Sequence, residues 1–156
     1  MNENYVTSSS LVNKLHEMAA VLEADRMKIL TACTDAESFT KIYYEFLDKS
    51  RHKLNKLYLD EGKLVWNGNA IEKKENIQKF FEELPTSTHT ITSLDSQPVN
   101  TEAVGSQATI LVTTAGFVVF KNRKSPFQQS FILTAKDDKW KLVSDVFRFQ
   151  DQDITP

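Results

Sequence analysis

"QATILVTTAGFVVF", Gln107–Phe120, is dominated by Val, Ile, Thr, Phe and Ala. A run this rich in β-branched and aromatic residues predicts a strand. Taken two residues at a time, one face carries Ile110, Val112, Val118 and Phe120, and the other carries Leu111, Ala115, Phe117 and Val119. Both faces are apolar. A sheet covered by helices on one side should alternate apolar with polar residues, because its other side meets water. This strand breaks that rule, and its neighbours show what it belongs to.

Downstream, "PFQQSFILTA" and "WKLVSDVFRFQ" are two further strand-like runs, and upstream "HTITSLDSQPV" is a third. The segments "TEAVGS", "KNRKS" and "KDDK" between them have turn composition. Together they predict a four-stranded meander. Further upstream, "EKKENIQKFFEELP", Glu72–Pro85, reads as a helix with Ile77, Phe80, Phe81 and Leu84 inward and Pro85 ending it. Before it, "KLVWNGNAI" has two short β-prone runs around Asn67-Gly68, a strong two-residue hairpin signal.

The N-terminal part is helical in pattern. Leu11, Leu15, Met18, Leu22 and Ile29 recur at helical spacing after the candidate N-caps Ser8 to Ser10. "TDAES", Thr34–Ser38, reads as the start of a second helix with Phe39, Ile42, Tyr43, Phe46 and Leu47 on its apolar stripe. After a break, "KSRHKLNKLYL" continues with Leu54, Leu57 and Tyr58 inward, and its Lys49, Arg51, Lys53 and Lys56 suit a solvated face better than a phosphate site. Helices first and a meander afterwards give an α+β domain with the helices on one side of the sheet.

The totals fit this. The chain has 156 residues, 40% hydrophobic and 26% charged, enough for one sizeable core. A net charge of -2 argues against autonomous nucleic-acid binding. Cys33 is the sole cysteine, so no internal disulfide and no cysteine-rich zinc site is expected. No signal-peptide pattern and no long apolar run appear, so a soluble, unexported protein without a membrane role is expected. No metal-ligand spacing or phosphate-binding glycine loop is present, and no cofactor is expected.

The last strand sharpens the question of the second apolar face. In "SDVFRFQD", Ser144–Asp151, an arginine stands between two phenylalanines. By parity Val143, Phe147 and Phe149 share a face with Asp145, while Trp140, Leu142, Ser144, Val146 and Arg148 take the other. An apolar patch across neighbouring strands marks a protein interface. Under a covering chain Arg148 needs an anion, best a carboxylate matching the guanidinium fork. The other reading is an arginine lying over its own strand, its stem on Val146 and its head in water.

"LVWNGNAI", the helix ending "FFEELPTS", "DSQPV", "FQQSFILTA" and "SDVFRFQD" stand in order from about Ser38 to Asp151. In these motifs the chain resembles the nuclear transport factor 2-like family, and in particular its messenger-RNA export members. The resemblance implies a cone-like α+β fold, a curved antiparallel-rich sheet wrapped around N-terminal helices, with a dimer interface on its outer face. It implies a non-enzymatic role: heterodimerising with the related domain of the large subunit of the mRNA export receptor, and supporting engagement of phenylalanine-glycine nucleoporins. Nucleus, cytoplasm and nuclear pore are the compartments it implies.

Carried onto this sequence, the resemblance assigns Arg148 to an aspartate of the large subunit and places Val146 at the interface. A pseudo-two-fold axis adds Asp95 near the same seam, with Thr113 and Phe131 as further candidates on the intervening strands. Residues 1–35 lie outside the match as an N-terminal helical extension, residues 36–151 form the domain, and residues 152–156 are a tail without the expected aromatic residue.

Two alternatives remain. The same fold serves isomerases and dehydratases with a carboxylate or an Asp-His pair in the cavity. Asp145 is then the best carboxylate, but no pair can be drawn to His16, His52 or His89. Large residues such as Trp66, Phe80, Phe81, Phe147 and Phe149 should fill the cone. An import carrier of a small GTPase is the other alternative; "WNGNA" puts amides where that role calls for an acid.

Overall fold

The computed structural model describes residues 8–100, 105 and 107–150. The tail 152–156, most of "TEAVGS" and residues 1–7 lie outside the described residues. One helix, α1 (Ser8–Lys49), opens the chain, followed by a 3-10 turn at Arg51–Leu57. Strands β1 (Tyr58–Trp66) and β2 (Asn69–Glu72) come next, then helix α2 (Lys74–Glu83). The meander is β3 (Ser87–Pro98), β4 (Thr109–Phe120), β5 (Arg123–Lys136) and β6 (Lys139–Phe149). The six strands form one sheet in the order β2-β1-β6-β5-β4-β3. Every neighbouring pair is antiparallel except β1 with β6, which run parallel. This is the expected α+β fold, a curved mixed sheet wrapped on helices.

The turns follow from their residues. Asn67 (φ 48) and Gly68 (φ 85) close the β1-β2 hairpin, and Lys121-Asn122 and Asp137-Asp138 make two more turns with both residues at positive φ. That conformation matches the twist of the flanking strands. β3 carries an extra residue between Ile91 and Ser93, opposite Gly116. A Cβ at Gly116 would stand 2.0 Å from the Thr90 carbonyl oxygen, so the strands approach there only because the side chain is missing.

Two expectations about the elements fail. The helix does not restart at Thr34–Ser38. The Thr34 hydroxyl donates to the Leu30 carbonyl (3.1 Å) instead of capping a new helix, so α1 runs through unbroken. In β6 the pairing with β5 slips between Ile132 and Leu133, which face Ser144 and Leu142. Val143 is thus the extra residue of a bulge, and parity reverses before it. Leu142 is fully buried on the helix side, and the Trp140 indole turns to the helices and donates to Asp35 Oδ2 (2.9 Å).

The core is largely aromatic. Phe147 stacks on Trp66 (centroids 3.8 Å) and on Phe127 (5.2 Å), and Phe131 packs edge-on against Phe39 and Tyr43. From α1 only the second half contributes, through Ala32, Ala36, Phe39, Tyr43, Tyr44 and Leu47.

Arg51, placed by its sequence on a solvated face, instead joins three segments. Its Nε donates to the Leu47 carbonyl (2.9 Å), Nη1 to the carbonyls of Phe81 (3.2 Å) and Leu84, and Nη2 to the Pro85 carbonyl and Ser87 Oγ (3.1 Å). It therefore binds carbonyls at and just beyond the end of α2, sharing that of Phe81 with the Leu84 N–H (3.3 Å).

Candidate functional site

Strand pairing fixes which side chains share the outer face, the side away from the helices. One row crosses the sheet as Asp95, Thr113, Ser130, Val146 and Val65. The row on one side holds Gln97, Leu111, Ile132 and Ser144, and the row on the other holds Ser93, Ala115, Gln128 and Arg148. Phe117 opposite Pro126, and Val119 opposite Lys124, extend the face toward the hairpin. Phe117, Ile132 and Val146 are large apolar groups, each 37 to 43% exposed on this face. Lys124 sends its Nζ over the Phe117 ring (4.5 Å). The surface is an apolar centre of Leu111, Ala115, Ile132 and Val146 studded with Thr113, Gln128 and Ser130. This mixture of apolar core with hydrogen-bonding groups is common to protein interfaces.

Of the sequence-derived candidates, Arg148, Val146, Asp95 and Thr113 are brought onto this face. Phe131 is not. It is fully buried, opposite Asp145 and Val112 in register, with its ring among Phe39, Tyr43 and Tyr44. Its neighbour Ser130 holds the outward position, because successive residues of a strand point to opposite sides.

Arg148 is exposed, and among the described residues no carboxylate pairs with it. Its guanidinium lies beside the β1-β2 turn: a Cβ on Gly68 would lie 3.7 Å from Nη1. The turn is also bonded to β6. Asn67 N–H donates to the Phe147 carbonyl (3.0 Å), and Asn67 Oδ1 accepts the Phe149 N–H (2.9 Å). The "NGN" hairpin therefore fixes the backbone on both sides of Arg148.

The inner side was the place to look for catalysis. Asp145 lies there, wholly buried. Its Oδ2 accepts the hydroxyls of Tyr43 (2.8 Å) and Tyr58 (2.6 Å), and its Oδ1 accepts Gln129 Nε2 (2.7 Å). Tyr44 donates to Gln129 Oε1 (2.6 Å) and meets Thr114 Oγ1 (2.8 Å). Burial pushes the Asp145 carboxyl up to about 6, although the bonds from Gln129, Tyr58 and Tyr43 pull the other way. Burial, then the Asp145 charge, raises the Tyr43 and Tyr58 phenols well above their usual range, so both remain donors. A carboxylate enclosed by three hydrogen bonds and the aromatic core has no face left for a substrate.

A carboxylate-histidine pair does exist, which the sequence reading did not find. Asp48 Oδ1 lies 2.6 Å from His89 Nδ1, and Asp48 Oδ2 accepts the His89 backbone N–H (2.8 Å). Ser87 Oγ donates to the same carboxylate (2.8 Å). Burial would raise the Asp48 carboxyl, but the bonds from His89 and Ser87 outweigh it and hold it below its usual value. The His89 side chain is 0% exposed, among the rings of Tyr44, Phe120 and Phe127. The pair ties the end of α1 to the start of β3, and 41 residues of separation leave no sequence signal for it.

Residues 36–149 match the nuclear transport factor 2 (NTF2) domain. The chain is 49% identical over 125 residues to "NTF2-related export protein 2" of Mus musculus, covering 77% of this chain and 88% of the mouse protein. Among solved structures, nuclear transport factor 2 of Cryptosporidium parvum superposes with a TM-score of 0.68 at 24% identity, covering 76% of this chain and 94% of that one. A chain of the Candida albicans Mtr2-Mex67 M domain complex superposes at 0.64 with 16% identity, covering 77% of this chain and 96% of that one. With a curved sheet closed on an aromatic core, an uncovered outer face and a family match over most of its length, the chain belongs to the nuclear transport factor 2 (NTF2) domain family.

Proposed function

We propose that this chain is the small, non-enzymatic subunit of a messenger-RNA export receptor, pairing through its outer sheet face with the related domain of a larger subunit. The observation that carries the reading is Arg148: an exposed guanidinium without a carboxylate partner among the described residues, beside an exposed apolar surface, where a covering chain is best matched by a carboxylate. Val146, Thr113, Asp95 and Ser130 complete the contact row, Ser130 replacing Phe131. The likeness to a mouse protein named for export supports the cellular role. Support of nucleoporin engagement and shuttling between nucleus and cytoplasm belong to the assembled pair. Residues 36–151 are the pairing domain, and residues 1–35 precede it as an extension. Catalysis is not proposed, since Asp145 and His89 are both sealed in the core.

Co-expression with the NTF2-like domain of a large export receptor, followed by size-exclusion chromatography with light scattering, tests this. A one-to-one complex is expected. A chain that stays monomeric and elutes apart from that domain overturns the proposal.

A further inference from the structure

The first half of α1 stands outside the core. Every residue from Ser9 to Thr31 is exposed, and the first buried residue is Ala32. At about 1.5 Å per residue this free part extends on the order of 35 Å beyond the core. It is far from polar: Leu11, Leu15, Met18, Leu22 and Ile29 are each 50 to 68% exposed.

These five side chains follow a seven-residue repeat. Leu15, Leu22 and Ile29 hold one position, and Leu11, Met18 and then Asp25 hold the other. Continued, the same repeat runs through Ala32, Ala36, Phe39 and Tyr43, which enter the core. The stripe that packs inside the cone therefore carries on, bare, above it. The stripe, widened by the exposed Val12 and Val21 at its flanks, is a face one helix offers another. Its lower end opens on a cleft of about 630 Å³ between Asp25, Lys28 and Ala32 of α1 and Pro98, Ile110 and Trp140 of the sheet.

Charge decides what can fill the seam. A parallel pairing with a second copy sets Asp25 against Asp25 inside an apolar layer. An antiparallel pairing, with Met18 facing Leu22, sets Asp25 against Leu15 and brings Lys14 beside Lys28 at both ends. Either pairing buries uncompensated charge or places like charges together. An anionic membrane is a poor match too: Lys14, Arg26 and Lys28 are balanced by Glu17, Glu23 and Asp25, and Asp25 interrupts the apolar stripe. Yet the charged positions flanking the seam are all basic, with Lys14 and Lys28 beside Val21 on one side and Arg26 beside Val12 and Ala19 on the other. The ion pairs Arg26–Glu23 (3.9 Å) and Lys28–Asp25 (3.8 Å) are highly exposed, so exchanging them costs little.

We propose that residues 11–29 of α1 form one half of a heterotypic helix pair. The partner is an amphipathic helix of a different protein, leucine-rich along its seam, acidic at its flanks, and carrying a lysine or arginine opposite Asp25. This surface is separate from the sheet face, and its test does not depend on the proposed receptor pairing.

The test uses the full chain and two synthetic helices of matching length, read by fluorescence anisotropy. One has a leucine seam, glutamate flanks and a lysine at the layer facing Asp25; the other has lysine flanks and a glutamate at that layer. The first should bind at least about tenfold more tightly, a difference of about 1.4 kcal/mol. Leu15→Lys with Leu22→Lys should abolish binding while leaving the thermal melt of the domain unchanged, since neither residue contacts the sheet. Asp25→Leu should remove much of the discrimination and permit self-association. Equal binding of the two helices, or no binding of either, overturns the proposal. So does a wild-type self-dimer dissolved by the double lysine variant, or uptake onto phosphatidylserine vesicles with the same dependence on Leu15 and Leu22.

Discussion

Replacing Asp145 by asparagine keeps the shape of the buried hub and removes its capacity to ionise. The asparagine carbonyl can accept both tyrosine hydroxyls, and a turned-over Gln129 amide can accept from its NH₂ group. The variant is therefore expected to fold. In the wild type the carboxyl rises from the ordinary aspartate range to about 6, which corresponds to on the order of 3 kcal/mol of burial cost once it ionises. The sign follows from proton counts. Between about pH 4 and about pH 6 the folded state holds a proton that the unfolded chain has released, so stability falls as pH rises through this window. From about pH 4 to about pH 7 the wild type should lose about 2 kcal/mol relative to Asp145→Asn. Asp48, held low by His89 and Ser87, contributes in the opposite sense, with stability present at neutral pH and lost on acidification. It is common to both proteins and cancels in the difference. Guanidinium unfolding followed by the fluorescence of Trp66 and Trp140 at a series of pH values gives both curves. Parallel curves across the window would refute the reasoning, because the buried carboxyl would then titrate as it does in the unfolded chain.

Arg148→Asp should weaken the complex with a large-subunit domain by at least about 2 kcal/mol, with partial recovery on exchanging the facing carboxylate for arginine; calorimetric titration of the four combinations measures it. Ser130→Arg should block that association with a change in stability below about 0.5 kcal/mol, whereas Phe131→Ala should cost about 3 to 5 kcal/mol of stability by opening the core; comparing thermal melts with co-elution separates the two. Arg51→Leu should destabilise the chain by about 3 kcal/mol through the carbonyls it leaves bare, and Arg51→Lys should recover little, since an ammonium cannot reach all the acceptors that the guanidinium spans; denaturant titration gives both values.

Much of this was legible because it is local. Asn67-Gly68 announced its hairpin, and the alternation from Ile110 to Phe120 assigned both faces of β4 correctly. Arg148 and Val146 could be placed on the outer face because Ser144–Phe149 pairs without a break. What failed needed partners that are distant in sequence. A bulge at Val143 reverses parity for Leu142 and Trp140, and nothing nearby marks it. Phe131 was assigned to the wrong side, although "FQQSFIL" itself alternates: Phe127, Gln129, Phe131 and Leu133 all point inward. There a glutamine obscured the pattern, since its burial is explained only by Asp145, Tyr43 and Tyr44. Arg51 looked solvated because its acceptors are the carbonyls of another helix end, which composition does not reveal.

The position of β6 in the sheet bears on how the protein is made. It is the furthest along the chain of the described strands, yet it lies between β1 and β5 and is the only link between the β1-β2 hairpin and the β3-β5 meander. While β6 is still inside a translating ribosome, the emerged chain holds two separate strand groups with two unpaired edges, and the outer-face rows that run through Val146 and Arg148 are incomplete. Completion of the sheet is thereby deferred until β6 has emerged, and the interval before that is when chaperone cover would matter most.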